Sequence, residues 1–155
     1  MNMQRRTFLK LTGRVGALAA AFGAGVVASG QARAATWNKA GFESKALADV
    51  MTSLGATGAA ESKDIVITAP DIAENGAVVP VAVTSKLPNT QQISIVAEKN
   101  PFPLAATFDV FGGGEGYVSA RIKMGQTSDV WAVVKADGKY FTARKEVKIT
   151  VGGCG

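Results

Sequence analysis

From Asp64 onward the sequence alternates apolar and polar residues with a period of two, in short runs rich in β-branched and aromatic side chains. Seven such runs cover residues 65–68, 78–84, 93–97, 104–110, 117–122, 130–135 and 140–151. Turn-forming residues separate them, and Asp137-Gly138 between the last two is typical of a tight hairpin. Seven short strands with no helical segment between them predict a mainly β fold, an immunoglobulin-like antiparallel β-sandwich over residues 61–151.

The segment before the strands has the periodicity of a helix. Its apolar residues fall on one helical face and are Phe42, Leu47, Val50, Met51 and Leu54. Asn38 is a suitable N-cap and Gly55 a suitable residue beyond the C-terminus. We therefore expect one amphipathic helix over residues 38–54, followed by a linker of small residues, within an N-terminal segment of residues 35–60. Its apolar stripe is expected to cover a core or a partner.

Residues 1–34 are typical of a twin-arginine export signal. The pair Arg5 and Arg6 is followed by Phe-Leu-Lys, by a mildly apolar run, and by the small-x-small cleavage motif Ala-Arg-Ala. A membrane-spanning helix is the alternative, but Arg14 interrupts the run, which is diluted by glycine and alanine. We expect the signal to be removed, leaving a periplasmic chain that does not lie in the membrane.

The positive net charge of the sequence comes from this leader. The whole chain has 17 basic and 12 acidic residues, and five of the basic residues but none of the acidic ones lie in residues 1–34. The remaining chain thus has 12 basic and 12 acidic residues and a formal charge of zero. This balance gives no electrostatic argument for binding nucleic acid.

The chain has no histidine and a single cysteine, Cys154, so it lacks a Cys/His metal set and a nucleophile–histidine pair. We expect no metal, no cofactor and no catalysis by this chain alone. Two carboxylate pairs, Asp71 with Glu74 and Asp109 with Glu115, are expected to be solvated surface. The glycine-rich stretch 112–116 does not match a phosphate-binding loop and is expected to be a flexible hairpin loop. The aromatic residues expected to be core or interface anchors are Trp37, Trp131, Tyr117 and Tyr140.

Cys154 lies beyond the alternating pattern of the last strand. Gly152 and Gly153 precede it, and Gly155 follows it. Because glycine lacks a Cβ, these residues form a narrow and mobile arm, residues 152–155, that could enter a cleft of another protein. No neighbouring group activates the thiol, which favours a carrier whose chemistry is supplied by the active sites it enters. The alternatives are an immunoglobulin-like module that dimerises through a Cys154 disulfide, and a thiol oxidoreductase, which would need a second cysteine.

Four segments resemble the SoxY family: the Gly-Gly-Cys-Gly end and residues 71–81, 98–105 and 121–130. The resemblance extends from the twin-arginine leader to the last residue. It implies an immunoglobulin-like sulfur-carrier subunit of the bacterial thiosulfate-oxidising Sox system, with Cys154 as the covalent attachment point. It also implies a heterodimer with SoxZ, a leaderless partner that crosses the export channel with it.

The resemblance further implies a cycle performed by partner enzymes. A c-type haem enzyme conjugates thiosulfate to the Cys154 sulfur, and a manganese hydrolase releases sulfate and leaves a persulfide. Where present, a molybdenum sulfur dehydrogenase oxidises the outer sulfur, and the hydrolase acts again. The haem, manganese and molybdenum centres thus belong to the partners, and the carrier itself needs no cofactor.

Overall fold

A computed structural model describes residues 37–150 of the chain. Its elements are α1 (Lys39–Glu43), α2 (Leu47–Leu54), β1 (Ala60–Glu61), β2 (Ile65–Thr68), β3 (Ile72–Ala73), β4 (Val79–Ser85), β5 (Thr90–Ala97), β6 (Leu104–Asp109), β7 (Tyr117–Ile122), β8 (Ser128–Ala136) and β9 (Lys139–Ile149). All seven strands predicted from the alternation are present, with ends shifted by up to three residues.

The strands form two sheets. The larger sheet has the order β1-β9-β8-β5-β6, with β3 also paired to β9, and the smaller sheet has the order β2-β4-β7. The long strands pair antiparallel, whereas β1 and β3 pair parallel to β9. The predicted immunoglobulin-like β-sandwich is confirmed. The two parallel strands were not predicted, because a two-residue strand is too short to show a period.

The main core lies between the two sheets. Alternate residues of β4, including Val81 and Val83, point inward and are completely buried against Ile93 and Ile95 of β5. Burying a side chain of this size contributes about 1.5–3 kcal/mol. The alternation that predicted the strands therefore also identifies the face that stabilises the fold.

A second apolar cluster covers the outer face of the larger sheet. Val50 and Leu54 of α2 pack with Val96 of β5, Leu104 of β6 and Val133 of β8, all of them buried. The stripe of the predicted helix thus covers a core within the chain. One consequence is that only the larger sheet has helices on its outer face among the described residues.

The prediction of a single helix over residues 38–54 is wrong, because the chain is extended at Ser44 and Ala46. The break lets α1 fold back onto the end of α2. Asn38 accepts the Gly41 N–H at 3.0 Å and donates to the Ser53 carbonyl at 3.1 Å. Gly41 is buried there, and a Cβ on it would lie 2.8 Å from the Ser53 hydroxyl oxygen, so a straight helix would forfeit this contact. The predicted cap at Asn38 is correct, as is the left-handed end at Gly55, with φ of +74°.

The sequence also predicts three of the connections between these elements. The Asp137-Gly138 hairpin is confirmed, with positive φ at both residues, as a tight primed turn requires. The stretch 112–116 is not a hairpin loop, because it crosses from β6 in the larger sheet to β7 in the smaller one. The small-residue linker contains one buried residue, Ala56, and ends at Ala60, the first residue of β1.

Neither described helix could cross a membrane: α2, the longer, has eight residues.

Candidate functional site

The residues predicted to carry function lie outside residues 37–150. These are Cys154, Gly152, Gly153 and Gly155 of the arm, and Arg5 and Arg6 of the leader. The structure does describe the base from which the predicted arm starts. There β9 ends at Ile149, followed by Thr150. We call the surrounding end of the sandwich the arm end; it consists of Ile149, Thr150 and three connecting loops, 69–78 (with the short strand β3 inside it), 98–103 and 123–128 (up to the first residue of β8).

The last residues of β9 are hydrogen-bonded on both sides. On one side, Lys148 donates its N–H to the Asp71 carbonyl at 3.0 Å and Thr150 donates to the Ala73 carbonyl at 3.2 Å. On the other side, Ile149 donates its N–H to the hydroxyl oxygen of Thr127 at 3.0 Å. The strand is therefore held up to its last residue, Ile149, and so is Thr150 after it.

Gly76 is required where loop 69–78 meets loop 123–128. Its carbonyl accepts the Met124 N–H at 2.7 Å. A Cβ at this position would collide with the Met124 carbonyl oxygen and would lie 3.1 Å from Cγ2 of Ile149. Only glycine permits such a close approach of two backbones, so this residue sets the spacing of the loops beside the base of the arm.

Asn100 connects loops 98–103 and 123–128 through its side-chain amide. Nδ2 donates to the Lys123 carbonyl at 2.7 Å, and Oδ1 accepts the Gly125 N–H at 3.1 Å. Gln126 adds a bond from Nε2 to the Lys99 carbonyl at 3.2 Å. All three loops of the arm end are thus linked by specific polar contacts.

The arm end brings together the three internal segments that carry the family resemblance, residues 71–81, 98–105 and 121–130. The sequence identifies these segments but does not indicate that they meet. Each contains turn-forming residues, such as Asn75-Gly76 and Asn100-Pro101, which mark a loop without indicating its neighbours. Their assembly depends on pairing of distant strands, which no local pattern reports.

The surface around the base of the arm has exposed apolar side chains and exposed charged ones, among them Glu74, Lys99 and Lys123, with one ion pair. Ile72, Val78 and Phe102 are exposed. Lys145 donates from Nζ to the Ala69 carbonyl at 2.6 Å and pairs with Asp71 at 3.0 Å. Because the Asp71 side chain is 89% exposed, solvent screens this pair and it adds little stability.

The four carboxylates of the two pairs Asp71 with Glu74 and Asp109 with Glu115 are all exposed. Asp71 pairs with Lys145 and Asp109 accepts a bond from Gln92 at 2.8 Å, while Glu74 and Glu115 are exposed, as expected of solvated surface. Within residues 37–150 there is no group of three or more acidic, histidine or cysteine side chains arranged to hold a metal ion.

The four aromatic residues divide into two kinds. Tyr140 packs in the second apolar cluster, and Trp131 does so while donating from Nε1 to Glu98 at 2.8 Å. Trp37 is largely exposed and stacks on Phe42 with ring centroids 4.4 Å apart. Tyr117 is 53% exposed on the smaller sheet. The first two anchor a core as expected, and the last two are open to solvent.

The sequence and the fold of this chain both match known proteins. The profile of a family described as sulfur oxidation protein SoxY matches residues 50–154. The solved structure of the sulfur carrier protein SoxY from Chlorobium limicola f thiosulfatophilum is 41% identical, with a TM-score of 0.62 over 69% of this chain and 94% of that one. No curated protein sequence matches.

A more distant likeness concerns the fold alone. Superoxide reductase (neelaredoxin) from Ignicoccus hospitalis superimposes with a TM-score of 0.50 at 21% identity, over 56% of this chain and 80% of that one. The family profile covers more than half of the chain, and the SoxY structure matches it at high identity. The chain belongs to the SoxY family of sulfur oxidation proteins.

Proposed function

We propose that this chain is a periplasmic sulfur carrier that holds thiosulfate-derived intermediates covalently on Cys154 and presents them to Sox enzymes. The observation that carries the proposal is the family match, which extends to residue 154 and so includes the only cysteine. The identity to a protein described as a sulfur carrier supports the same role. The chain contributes the cysteine to which sulfur is attached and the arm that carries this cysteine into a partner's active site, and its partners contribute the catalysis.

The geometry at the base of the arm supports a carrier whose chemistry is performed by partner enzymes. Cys154 lies four positions after Thr150, a span of about 14 Å when fully extended. The anchored end of β9 gives this span a fixed origin, while three of the last four residues are glycines. A thiol presented in this way can reach a reacting group in a cleft without moving the sandwich.

The first step is an oxidative conjugation. The Cys154 sulfur and the outer sulfur of thiosulfate form a disulfide bond, one proton leaves the thiol, and two electrons pass to the haem centres of a c-type enzyme. The product is Cys–S–S–sulfonate. Water then attacks the sulfonate sulfur in a manganese hydrolase, sulfate leaves, and a persulfide remains on Cys154.

A second oxidation regenerates the thiol in systems that contain a molybdenum sulfur dehydrogenase. The outer persulfide sulfur loses six electrons to that enzyme and gains three oxygen atoms from water, which gives Cys–S–sulfonate. Hydrolysis of this S–S bond releases sulfate and restores the thiol. Every redox centre and metal in this scheme belongs to a partner.

Export and assembly complete the proposal. The twin-arginine leader with Arg5 and Arg6 would deliver the chain to the periplasm in folded form, which suits export together with a leaderless SoxZ subunit. After removal of residues 1–34 the chain has no net charge, and we propose no nucleic-acid or membrane partner.

Substitution of Cys154 by serine tests the carrier role. We expect Cys154→Ser to abolish thiosulfate-dependent electron transfer in reconstitution with the Sox enzymes, while the free energy of unfolding changes by less than about 0.5 kcal/mol. A matched control places a thiol elsewhere, on exposed Thr57, in the same chain. The double variant Cys154→Ser with Thr57→Cys should stay inactive. Activity in Cys154→Ser would contradict the carrier role of this residue.

A further inference from the structure

A tight turn lies inside loop 69–78 at the arm end. Val78 donates its N–H to the Asn75 carbonyl at 3.3 Å, and Ala77 donates its N–H to the Oδ1 atom of the Asn75 side chain at 2.9 Å. A bond from the side chain to the backbone two residues on is typical of asparagine in turns. The residue after it is Gly76, where a Cβ would collide with the opposite backbone. The turn therefore places an exposed asparagine directly before a glycine that the packing requires.

Asparagine before glycine is chemically labile, because the side-chain amide can react with the next backbone nitrogen. This nitrogen attacks Cγ, a C–N bond closes a five-membered succinimide ring, and the amide nitrogen leaves as ammonia with the proton of the backbone N–H. Water then opens the ring at either carbonyl. One product is aspartate; the other is isoaspartate, whose main chain runs through Cβ and is one carbon longer. Glycine favours the attack because it has no side chain to hinder it.

Asn75 differs from the other asparagines that the structure describes in the contacts of its amide nitrogen. Asn38, Asn89 and Asn100 each donate from Nδ2 to another part of the chain, at 3.1, 2.7 and 2.7 Å. The Nδ2 atom of Asn75 makes no hydrogen bond within residues 37–150, where this side chain only accepts one. Asn100 is also followed by a proline, which has no N–H. The leaving group is therefore least restrained at Asn75.

The attacking group and the oxygen that gains charge are also suitably placed. The N–H of Gly76 makes no hydrogen bond within the described part of the chain, so the nucleophile is not engaged elsewhere. Negative charge develops on Oδ1 of Asn75 as its Cγ is attacked. The Ala77 N–H already donates to this oxygen, as the donor of an oxyanion hole does.

An extra main-chain carbon at position 75 does not fit beside loop 123–128. The Gly76 carbonyl accepts the Met124 N–H at 2.7 Å, and this contact has no room even for one methyl group. The lengthened turn must therefore move away from Met124. It belongs to the loop whose Asp71 and Ala73 carbonyls bind the last residues of β9. We propose that Asn75 is the deamidation site of this protein and that isoaspartate at this position releases the base of the arm.

Aspartate, the other product, leaves the base of the arm intact. A carboxylate oxygen accepts the Ala77 N–H as the amide oxygen does, and the main chain keeps its length. The variant Asn75→Asp therefore has the added negative charge without the added carbon and serves as the matched control. Neither the reaction nor its effect on β9 involves Cys154, so both can be measured whether or not this cysteine carries sulfur.

The site is tested by incubating the full chain in mildly alkaline buffer and digesting it with trypsin. Asn75 is the only asparagine in the tryptic peptide of residues 64–86. This peptide should gain about 1 Da before the peptides that contain Asn89 and Asn100 do, and electron-transfer fragmentation should find isoaspartate in it. Earlier deamidation at Asn89 or Asn100 would overturn the proposal. So would an unchanged 64–86 peptide after the same peptide has reacted in denatured chain.

Hydrogen exchange of the isoaspartate form, isolated by chromatography, tests the release. The amides of Lys148 and Thr150 should exchange at least about tenfold faster than in fresh protein, while that of Val133 in the middle of β8 keeps its protection. Asn75→Asp should exchange like fresh protein. Asn75→Ser, which has no amide to lose, should do so even after ageing. Unchanged exchange in the isoaspartate form, or equal acceleration in Asn75→Asp, would reject the release of the base of the arm.

Discussion

The hydroxyl oxygen of Thr127 accepts the backbone N–H of Ile149 at 3.0 Å, at the point where β8 no longer flanks β9. The ladder between these strands ends at the pair Ser128 and Val147. A side chain therefore replaces the carbonyl group that a longer β8 would have provided. With Ala73 bound on the opposite side, this contact holds the last residue of the strand that leads to Cys154.

Removal of the Thr127 hydroxyl should loosen the base of the arm. Thr127→Val keeps the shape of the side chain but leaves the Ile149 N–H without its acceptor, which should cost about 1 kcal/mol of unfolding free energy. Hydrogen exchange of the Ile149 amide should accelerate, while amides in the middle of β9 keep their protection. Thr68→Val, at an exposed strand position, is the control and should change neither quantity. Unchanged exchange at Ile149 in Thr127→Val would show that the contact does not hold the strand.

Gly76 and Gly125 provide a matched pair of glycines in adjoining loops. Gly76→Ala should destabilise the protein by about 1–3 kcal/mol, because the new methyl group meets the Met124 carbonyl oxygen and the Ile149 side chain. Gly125→Ala should be nearly neutral, because a Cβ there meets no atom within 4 Å. Chemical denaturation of both variants measures the difference. Equal stabilities would contradict the close packing of the arm end.

The elements of the fold that the sequence predicts are those whose apolar pattern extends over several residues. The seven long strands alternate over several residues and were all predicted, as was the Asp137-Gly138 turn. The break at Ser44 was not predicted, because the helical stripe continues through it. Its cause is the packing of Gly41 against Ser53, which only the structure reveals. β1 and β3 were missed because their two residues gain order only by pairing with β9.

The candidate site was predictable only in part. Cys154 was found because it is the single cysteine and lies outside any apolar pattern. The contacts that fix the base of its arm could not be found, because Thr127 meets Ile149 across 22 residues and Asn100 meets Gly125 across 25. Such contacts depend on the register of the sheets.

Bulky residues in the arm should impair delivery of the thiol and leave the thiol itself reactive. In Gly152→Leu with Gly153→Leu, turnover with the Sox enzymes should fall at least about tenfold, because side chains replace the clearance that glycine gives in a narrow cleft. Alkylation of Cys154 by iodoacetamide should keep the wild-type rate, since this small reagent needs no cleft. If alkylation fell as much as turnover, the glycines would act on the thiol and not on its access to partners.

The most direct test of the carrier role is to follow labelled sulfur onto Cys154. Protein is purified from cells given thiosulfate with an isotopic label in the outer sulfur, and its mass is measured intact and after trypsin cleavage behind Lys148. We predict labelled sulfur, with or without sulfonate, on the peptide of residues 149–155, and its removal by a reducing agent. Only free thiol and disulfide dimer in repeated preparations would contradict the carrier role of Cys154.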